Sequence, residues 1–84
     1  GIEAASESFF NKKAENLTIS EAAALAALPQ ATTYYSPYGT HTDSLENRRI
    51  LVLKKMKNFG YISENEYNQA EENKPKFTNP GQGI

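Results

Sequence analysis

The chain has 84 residues, which limits it to one small domain with a thin hydrophobic core. Its 9 Lys and Arg residues nearly balance its 10 Asp and Glu residues, which argues against a nucleic-acid partner, and the absence of cysteine excludes disulfides and thiolate chemistry. The longest uncharged apolar run, residues 22–29, is too short to cross a bilayer, so the sequence taken alone predicts a soluble chain.

Two helices are predicted in the first third of the chain. Residues 1–11 place apolar side chains at helical spacing. A second helix should begin directly after Thr18, because Thr18 and Glu21 have the spacing of a capping box, and Pro29 should end it. The apolar and mostly small residues between 22 and 28 predict that this helix is buried on all sides.

A third helix is predicted from about Asp43 to Phe59, after a loop over residues 30–42 that shows no periodicity. Apolar residues in the middle of this helix lie on nearly every side, which predicts a central element of the fold. Gly60 follows at the position where a left-handed residue commonly ends a helix.

A fourth helix is predicted to begin after Ser63, which forms a second capping box with Glu66. Ile62 and Tyr67 have the spacing of a hydrophobic staple, which supports the same starting point. No alternating run is long enough to suggest a sheet. The sequence therefore predicts an all-α fold of about four helices.

Two adjacent arginines, Arg48 and Arg49, are the least expected feature of the third helix. Arg49 falls on the apolar stripe of this helix, together with Leu45, Val52, Met56 and Phe59. A cation there must reach solvent or meet a carboxylate, and no acidic residue obviously serves both arginines. Two interpretations stay open: an ion pair that ties helices together, and a contact with an anionic ligand.

The remaining candidates for chemistry have simpler explanations. The glutamates of the fourth helix complement the helix dipole or form a solvated face. His41 has no Cys or acidic neighbour at metal-ligand spacing apart from Asp43, so no metal site is predicted. Lysines late in the third helix also complement a helix dipole, and the loop tyrosines are expected to cover the edge of a core. No catalytic residue is predicted.

Three blocks of the chain, "EAAALAALPQATTYYSP", "RRILVLKKM" and "GYISENEY", resemble the C-terminal half of the peptidoglycan glycosyltransferase domain of family 51. This domain occurs in class A penicillin-binding proteins and in monofunctional transglycosylases. The similarity covers about residues 2–71, and "RRxxVLxxM" resembles the last of the family's five motifs. The resemblance implies a fragment of a lysozyme-like, mostly helical domain.

The end of the chain is predicted to be a linker. Residues 73–84 are rich in Pro, Gly and Asn and lack apolar periodicity, which predicts a linker or disordered tail after a helical part over residues 1–72. Within it, "NPGQGI" resembles the connection that leads to the penicillin-binding transpeptidase domain in bifunctional members of the family.

The resemblance also implies an activity. Family members polymerise lipid II into glycan strands, with a glutamate that acts as base on the acceptor sugar while undecaprenyl pyrophosphate leaves. The block that carries this glutamate, E-D-x-x-F-x-x-H, has no match in this chain. The chain is therefore expected to be part of a peptidoglycan glycosyltransferase and to be inactive alone. The alternative is a free-standing helical module that docks a partner.

Individual positions carry the resemblance. The last motif is matched by Arg48, Arg49, Val52, Leu53 and Met56, and the block before it by Glu21, Ala22, Ala23, Leu28, Pro29 and Gln30. In the family these positions brace the lobe that holds the catalytic cleft, so Arg48, Arg49 and Gln30 are candidates for substrate binding or for bracing the site. The others are structural.

The resemblance places the partners of the two arginines outside this chain. Acidic or pyrophosphate groups would come from the N-terminal half of the domain, so the guanidinium of Arg49 is expected to reach solvent here. Further implied partners are lipid II, the nascent glycan and a following transpeptidase domain. The expected location is the bacterial cell envelope, at the outer face of the cytoplasmic membrane. No cofactor is expected in the chain itself, although a divalent cation is compatible with the parent enzyme.

Overall fold

A computed structural model describes residues 1–28 and 42–78, without the side chains of residues 42 and 43. Over these ranges the chain forms one short 3-10 helix and four α-helices, with no strand, as the sequence predicts. The α-helices are α1 (Ile2–Phe10), α2 (Ile19–Ala27), α3 (Thr42–Asn58) and α4 (Glu64–Glu72), and the 3-10 helix is Ala14–Asn16. Pro29, nearly all of the predicted loop, and residues 79–84 lie outside the described residues.

Both predicted capping boxes are present. At the start of α2, the Glu21 backbone N–H donates to Thr18 Oγ1 at 3.0 Å, and the Thr18 N–H donates to Glu21 Oε1 at 2.9 Å. At the start of α4, the corresponding distances between Ser63 and Glu66 are 3.1 Å and 2.7 Å. These side chains satisfy backbone donors that have no partner within the helix and so fix where each helix begins.

The end of α3 confirms the role predicted for Gly60. Gly60 has a φ of 82°, and its N–H donates to Lys57 O at 3.0 Å while the Tyr61 N–H donates to Met56 O at 2.9 Å. This pair of bonds is a Schellman motif, which requires a left-handed residue and favours glycine. The chain therefore turns sharply from α3 towards α4.

The main core lies where α2, α3 and α4 meet, which confirms α3 as a central element. Leu53 is fully buried in its middle, and the staple residues Ile62 and Tyr67 are both buried there. The remaining buried members of this cluster are Ala23 and Ala70. The staple thus joins the start of α4 to the core on which α3 rests.

Two burial predictions are wrong. Ala26 is exposed, so α2 is not buried on all sides, because it packs on α1, α3 and α4 and leaves one side to solvent. Phe59 is 73% exposed although it was assigned to the packing stripe of α3, because it follows the last helical residue where the chain turns. The buried line on α3 runs instead through Leu45, Arg49 and Leu53, one helical turn apart.

A second apolar cluster holds the residues that follow α4 against α1. Phe77 stacks on Phe10 with ring centroids 4.8 Å apart and meets the edge of Phe9 at 6.0 Å. The backbone N–H of Thr78 donates to Phe9 O at 2.7 Å, at the C-terminal end of α1. Phe77 and Thr78 therefore contact α1, and the assignment of 73–84 as a linker or disordered tail stays a prediction.

Candidate functional site

Arg49 occupies the centre of the candidate site. Its side chain is 1% exposed and lies between α2, α3 and α4. A guanidinium carries five N–H donors and cannot lose its charge in a protein, so every donor needs a partner at this depth. The structure supplies all of them from within this chain.

The five donors of Arg49 reach four residues. Nε donates to Glu46 Oε1 at 3.0 Å, and Nη2 donates to Glu46 Oε2, which forms a two-pronged ion pair within α3. Nη1 donates to Ser20 Oγ at 2.9 Å and to Ala70 O at 2.7 Å, and Nη2 donates also to Glu71 O at 3.1 Å. Two parallel bonds to one carboxylate give geometric specificity that a lysine cannot reproduce.

Two of these acceptors lie at the C-terminal end of α4. The carbonyls of Ala70 and Glu71 belong to the last turn of that helix, where backbone C=O groups have no partner within the helix. A cation at this position also interacts favourably with the negative end of the helix dipole. Arg49 therefore caps α4 from α3, and Ser20 brings the first turn of α2 into the same network.

The network around Arg49 overturns one expectation from the sequence. We expected its guanidinium to reach solvent because its anionic partner would lie outside the chain, and that expectation is wrong. The partner is Glu46, three residues earlier on the same helix. The ion pair itself lies within α3, and the hydrogen bonds of Arg49 to α2 and α4 are what tie the helices together. A contact between Arg49 and substrate stays a prediction.

Arg48 makes the equivalent contact on a different helix. Its Nε donates to Ala27 O at 3.0 Å, and Ala27 is the last residue of α2. The residue itself is exposed, whereas Ala27 is fully buried. Because consecutive residues of a helix point about 100° apart, the two arginines reach the C-terminal ends of two different helices. Arg48 caps α2 as Arg49 caps α4.

Glu21 has a local role in the structure. Besides capping α2, it accepts hydrogen bonds from Lys12 Nζ at 2.9 Å and 3.0 Å, which joins the start of α2 to the residues after α1. Burial raises the pKa of its carboxyl, but hydrogen bonds from the Thr18 N–H and Lys12 outweigh this, so the pKa lies below its ordinary value. Glu21 is therefore held as a carboxylate.

The other predicted site residues fall into two groups. Leu53 lies in the main core, with Val52 and Met56 half-buried against it, as expected of structural residues. Pro29 and Gln30 lie outside the described residues, so the candidate role of Gln30 stays a prediction.

Two residues of the network were missed by reasoning from the sequence. Glu46 was detectable, because an acid three residues before an arginine on a helix can pair with it. Ser20 had no such signal, since a serine in a first helical turn usually faces water. Its Oγ accepts from Arg49 and donates to Asn73 O at 2.5 Å, so it links α2 to the residue that ends α4.

The described residues show no other site of recognisable chemistry. No three of their His, Asp and Glu side chains lie close enough together to hold a metal ion. None of the helices is long and apolar enough to cross a membrane, as far as the described ranges extend. An open groove of about 460 Å³ lies between the start of α2 and residues 73–76, and Glu21 is the one predicted site residue, among those that the structure describes, that lines it.

Comparisons with known proteins show which family the chain belongs to. A family model described as transglycosylase matches residues 1–57, which contain α1, α2 and most of α3. Penicillin-binding protein 1A of Streptococcus pneumoniae is 41% identical over 83% of the chain and 10% of its own length. Penicillin-binding protein 1A of Aquifex aeolicus is 42% identical over 93% of the chain, and penicillin-binding protein 1F of Bacillus subtilis is 48% identical over 79%.

A solved structure shares the arrangement of helices. The crystal structure of penicillin-binding protein 1A from Haemophilus influenzae matches 93% of this chain and 12% of its own chain, with a TM-score of 0.78 and 36% sequence identity. The chain spans about a tenth of the length of these relatives. It nevertheless includes both arginines within the matched region, and it belongs to the transglycosylase family.

Proposed function

We propose that this chain is the C-terminal helical part of a peptidoglycan glycosyltransferase domain, within a bifunctional penicillin-binding protein that polymerises lipid II into glycan strands. The single observation that carries the proposal is the transglycosylase match over residues 1–57. The relatives' names, which are those of penicillin-binding proteins, support a bifunctional parent.

Within that enzyme the chain acts as a frame. The residues that resemble the family's motifs make contacts inside the chain: Arg49 joins α2, α3 and α4, Arg48 caps α2, and Glu21 caps the start of α2. Arginines that are hydrogen-bonded to backbone carbonyls fix the positions of the helices. The proton transfer that glycosyl transfer requires is then carried out by other groups. The catalytic base therefore comes from the rest of the domain.

The partners follow from this role. They are the N-terminal half of the domain, lipid II, the nascent glycan and a following transpeptidase domain, at the outer face of the cytoplasmic membrane. If the parent enzyme uses a divalent cation, we assign its ligands to the rest of the domain.

The proposal is tested by lipid II polymerisation. The isolated chain should form no glycan at any pH, whereas the full-length protein that contains it should form glycan strands. In the full-length protein, Arg49→Met should abolish polymerisation by displacing α4 from α3, and Asn68→Ala, at an exposed position on α4, should leave it unchanged. Glycan made by the isolated chain, or a full-length protein that makes none, would contradict the proposal.

A further inference from the structure

Residues 73–78, which we call the strap, run from the end of α4 to the end of α1. At the α4 end, the Asn73 carbonyl accepts a hydrogen bond from Ser20 Oγ at 2.5 Å. At the α1 end, Thr78 donates twice to Phe9 O, through its N–H at 2.7 Å and its Oγ1 at 3.1 Å. In the described structure α1 packs on α2 but not on α4, so the strap provides a direct link between these two helices.

The middle of the strap makes few contacts with the helices. Within the described ranges, residues 74–76 form no hydrogen bond, and Lys74 and Lys76 are exposed. The open groove of about 460 Å³ separates this part of the strap from the start of α2. A segment with an exposed backbone and few buried apolar contacts can open locally while the rest of the fold stays intact.

Phe77 anchors the strap on the second apolar cluster. Its ring is half-buried and lies against Phe9 and Phe10, and Phe10 is 4% exposed. Burial of this ring and its contact with the other two stabilise the attached strap. Ordering the six strap residues costs conformational entropy, which opposes attachment. The balance between an attached and a detached strap is therefore sensitive to this one side chain.

The direction of the strap is linked to the hydrogen bond at Ser20. Because the peptide unit between Asn73 and Lys74 is planar, the Asn73 carbonyl and the Lys74 nitrogen turn together. A strap that swings away from α1 about this point turns the carbonyl away from Ser20. The hydroxyl of Ser20 has a single proton, which it donates to Asn73 O while it accepts from Arg49 Nη1 at 2.9 Å. Loss of the first bond leaves the hydroxyl free to rotate and so weakens the second.

From these observations we propose that the strap is a conformational device with an attached and a detached state, and that its attachment to α1 stabilises the Arg49 network through Ser20. Detachment releases Ser20 from Asn73 and weakens the hold of Arg49 on the end of α4. The position of the chain at Thr78 thereby controls how firmly α4 is capped. The inference goes beyond the proposed function and does not rest on it, because all of these contacts lie within the described residues.

Hydrogen exchange of backbone amides in the full-length protein, resolved to single residues by mass spectrometry, tests the inference. Phe77→Ala should speed exchange of the Thr78 amide by about tenfold or more, because burial of the ring is lost. It should also speed exchange of the amides in the last turn of α4 by about threefold, because Arg49 holds that turn less firmly. Phe59→Ala is the matched control: it removes the same ring at a position that is 73% exposed, and it should change neither rate.

Ser20→Ala identifies the route between the strap and α4. In this background, Phe77→Ala should still speed exchange at Thr78, but it should add no further acceleration in the last turn of α4. Phe77→Leu keeps an apolar side chain and removes the ring stacking. It should give the same pattern with smaller changes, and it decides the test if Phe77→Ala does not fold.

Three outcomes would overturn the inference. Unchanged exchange in the last turn of α4 would mean that the strap is not coupled to Arg49. Equal acceleration of that turn with and without the Ser20 hydroxyl would mean that Ser20 does not transmit the effect. Equal acceleration of all amides in the Phe77→Leu variant, including that of the buried Leu53, would mean that the strap has no detached state of its own.

Discussion

Arg48 and Arg49 are neighbours with identical chemistry, yet the structure places them in opposite environments. Arg49 is 1% exposed and uses all five donors on a carboxylate, a hydroxyl and two carbonyls. Arg48 is exposed and contacts the buried carbonyl of Ala27 through Nε. The two residues differ by one position, which is a rotation of about 100° about the helix axis. That rotation leaves Arg49 enclosed by three helices and Arg48 at the edge of a helix pair.

From this difference we expect burial, more than residue type, to set the consequence of removing each arginine. A deeply buried cation has no water to replace its partners, and those partners lose their own hydrogen bonds when it is removed. At an exposed arginine, water can take over much of the same role. The pair therefore offers a comparison in which charge, size and helix are constant and only the surroundings differ.

The largest effect is expected from Arg49→Met in the isolated chain. The change leaves the Ala70 and Glu71 carbonyls, the Ser20 hydroxyl and the Glu46 carboxylate without their shared donor. Breaking a buried ion pair on one side should lower the free energy of unfolding by about 3 kcal/mol. Urea denaturation followed by circular dichroism measures this. A neutral or stabilising effect would mean that the network contributes little.

A much smaller effect is expected from Arg48→Met, which serves as the matched control. Ala27 O loses one hydrogen bond at the end of α2, and a single such bond contributes about 1 kcal/mol. Because Arg48 is exposed and water can replace much of its hydrogen bonding, the free energy of unfolding should fall by clearly less than for Arg49→Met in the same denaturation experiment. A loss equal to that of Arg49→Met would remove the contrast between the two positions.

The helices and their starts were predictable because their signals are local. The capping boxes at Thr18 and Ser63 and the left-handed Gly60 each depend on residues only a few positions apart. The partners of Arg49 on α2 and α4 are 21 to 29 residues away, and no periodicity reports them. Only the two bonds to Glu46 lie within one helix, and the spacing of three residues was the signal available for them.

The docking of the chain after α4 was not predictable for a similar reason. Residues 73–78 have the composition of a linker, and Phe77 is their single large apolar side chain. Its stacking on Phe10 depends on where α4 ends relative to α1, which the helix packing decides. The contact with α1 thus depends on a single aromatic residue in a polar stretch, and the overall composition of the stretch did not reveal it.

The central claim is that Arg49 is fully bound within this chain, and NMR of the ¹⁵N-labelled guanidinium groups tests it most directly. Because all of its donors are hydrogen-bonded and buried, Arg49 should show separate Nη signals, with hindered rotation and slow exchange with water. Arg48, which is exposed, should show faster exchange in the same spectrum. Nη protons of Arg49 that rotate freely and exchange as fast as those of Arg48 would contradict the account.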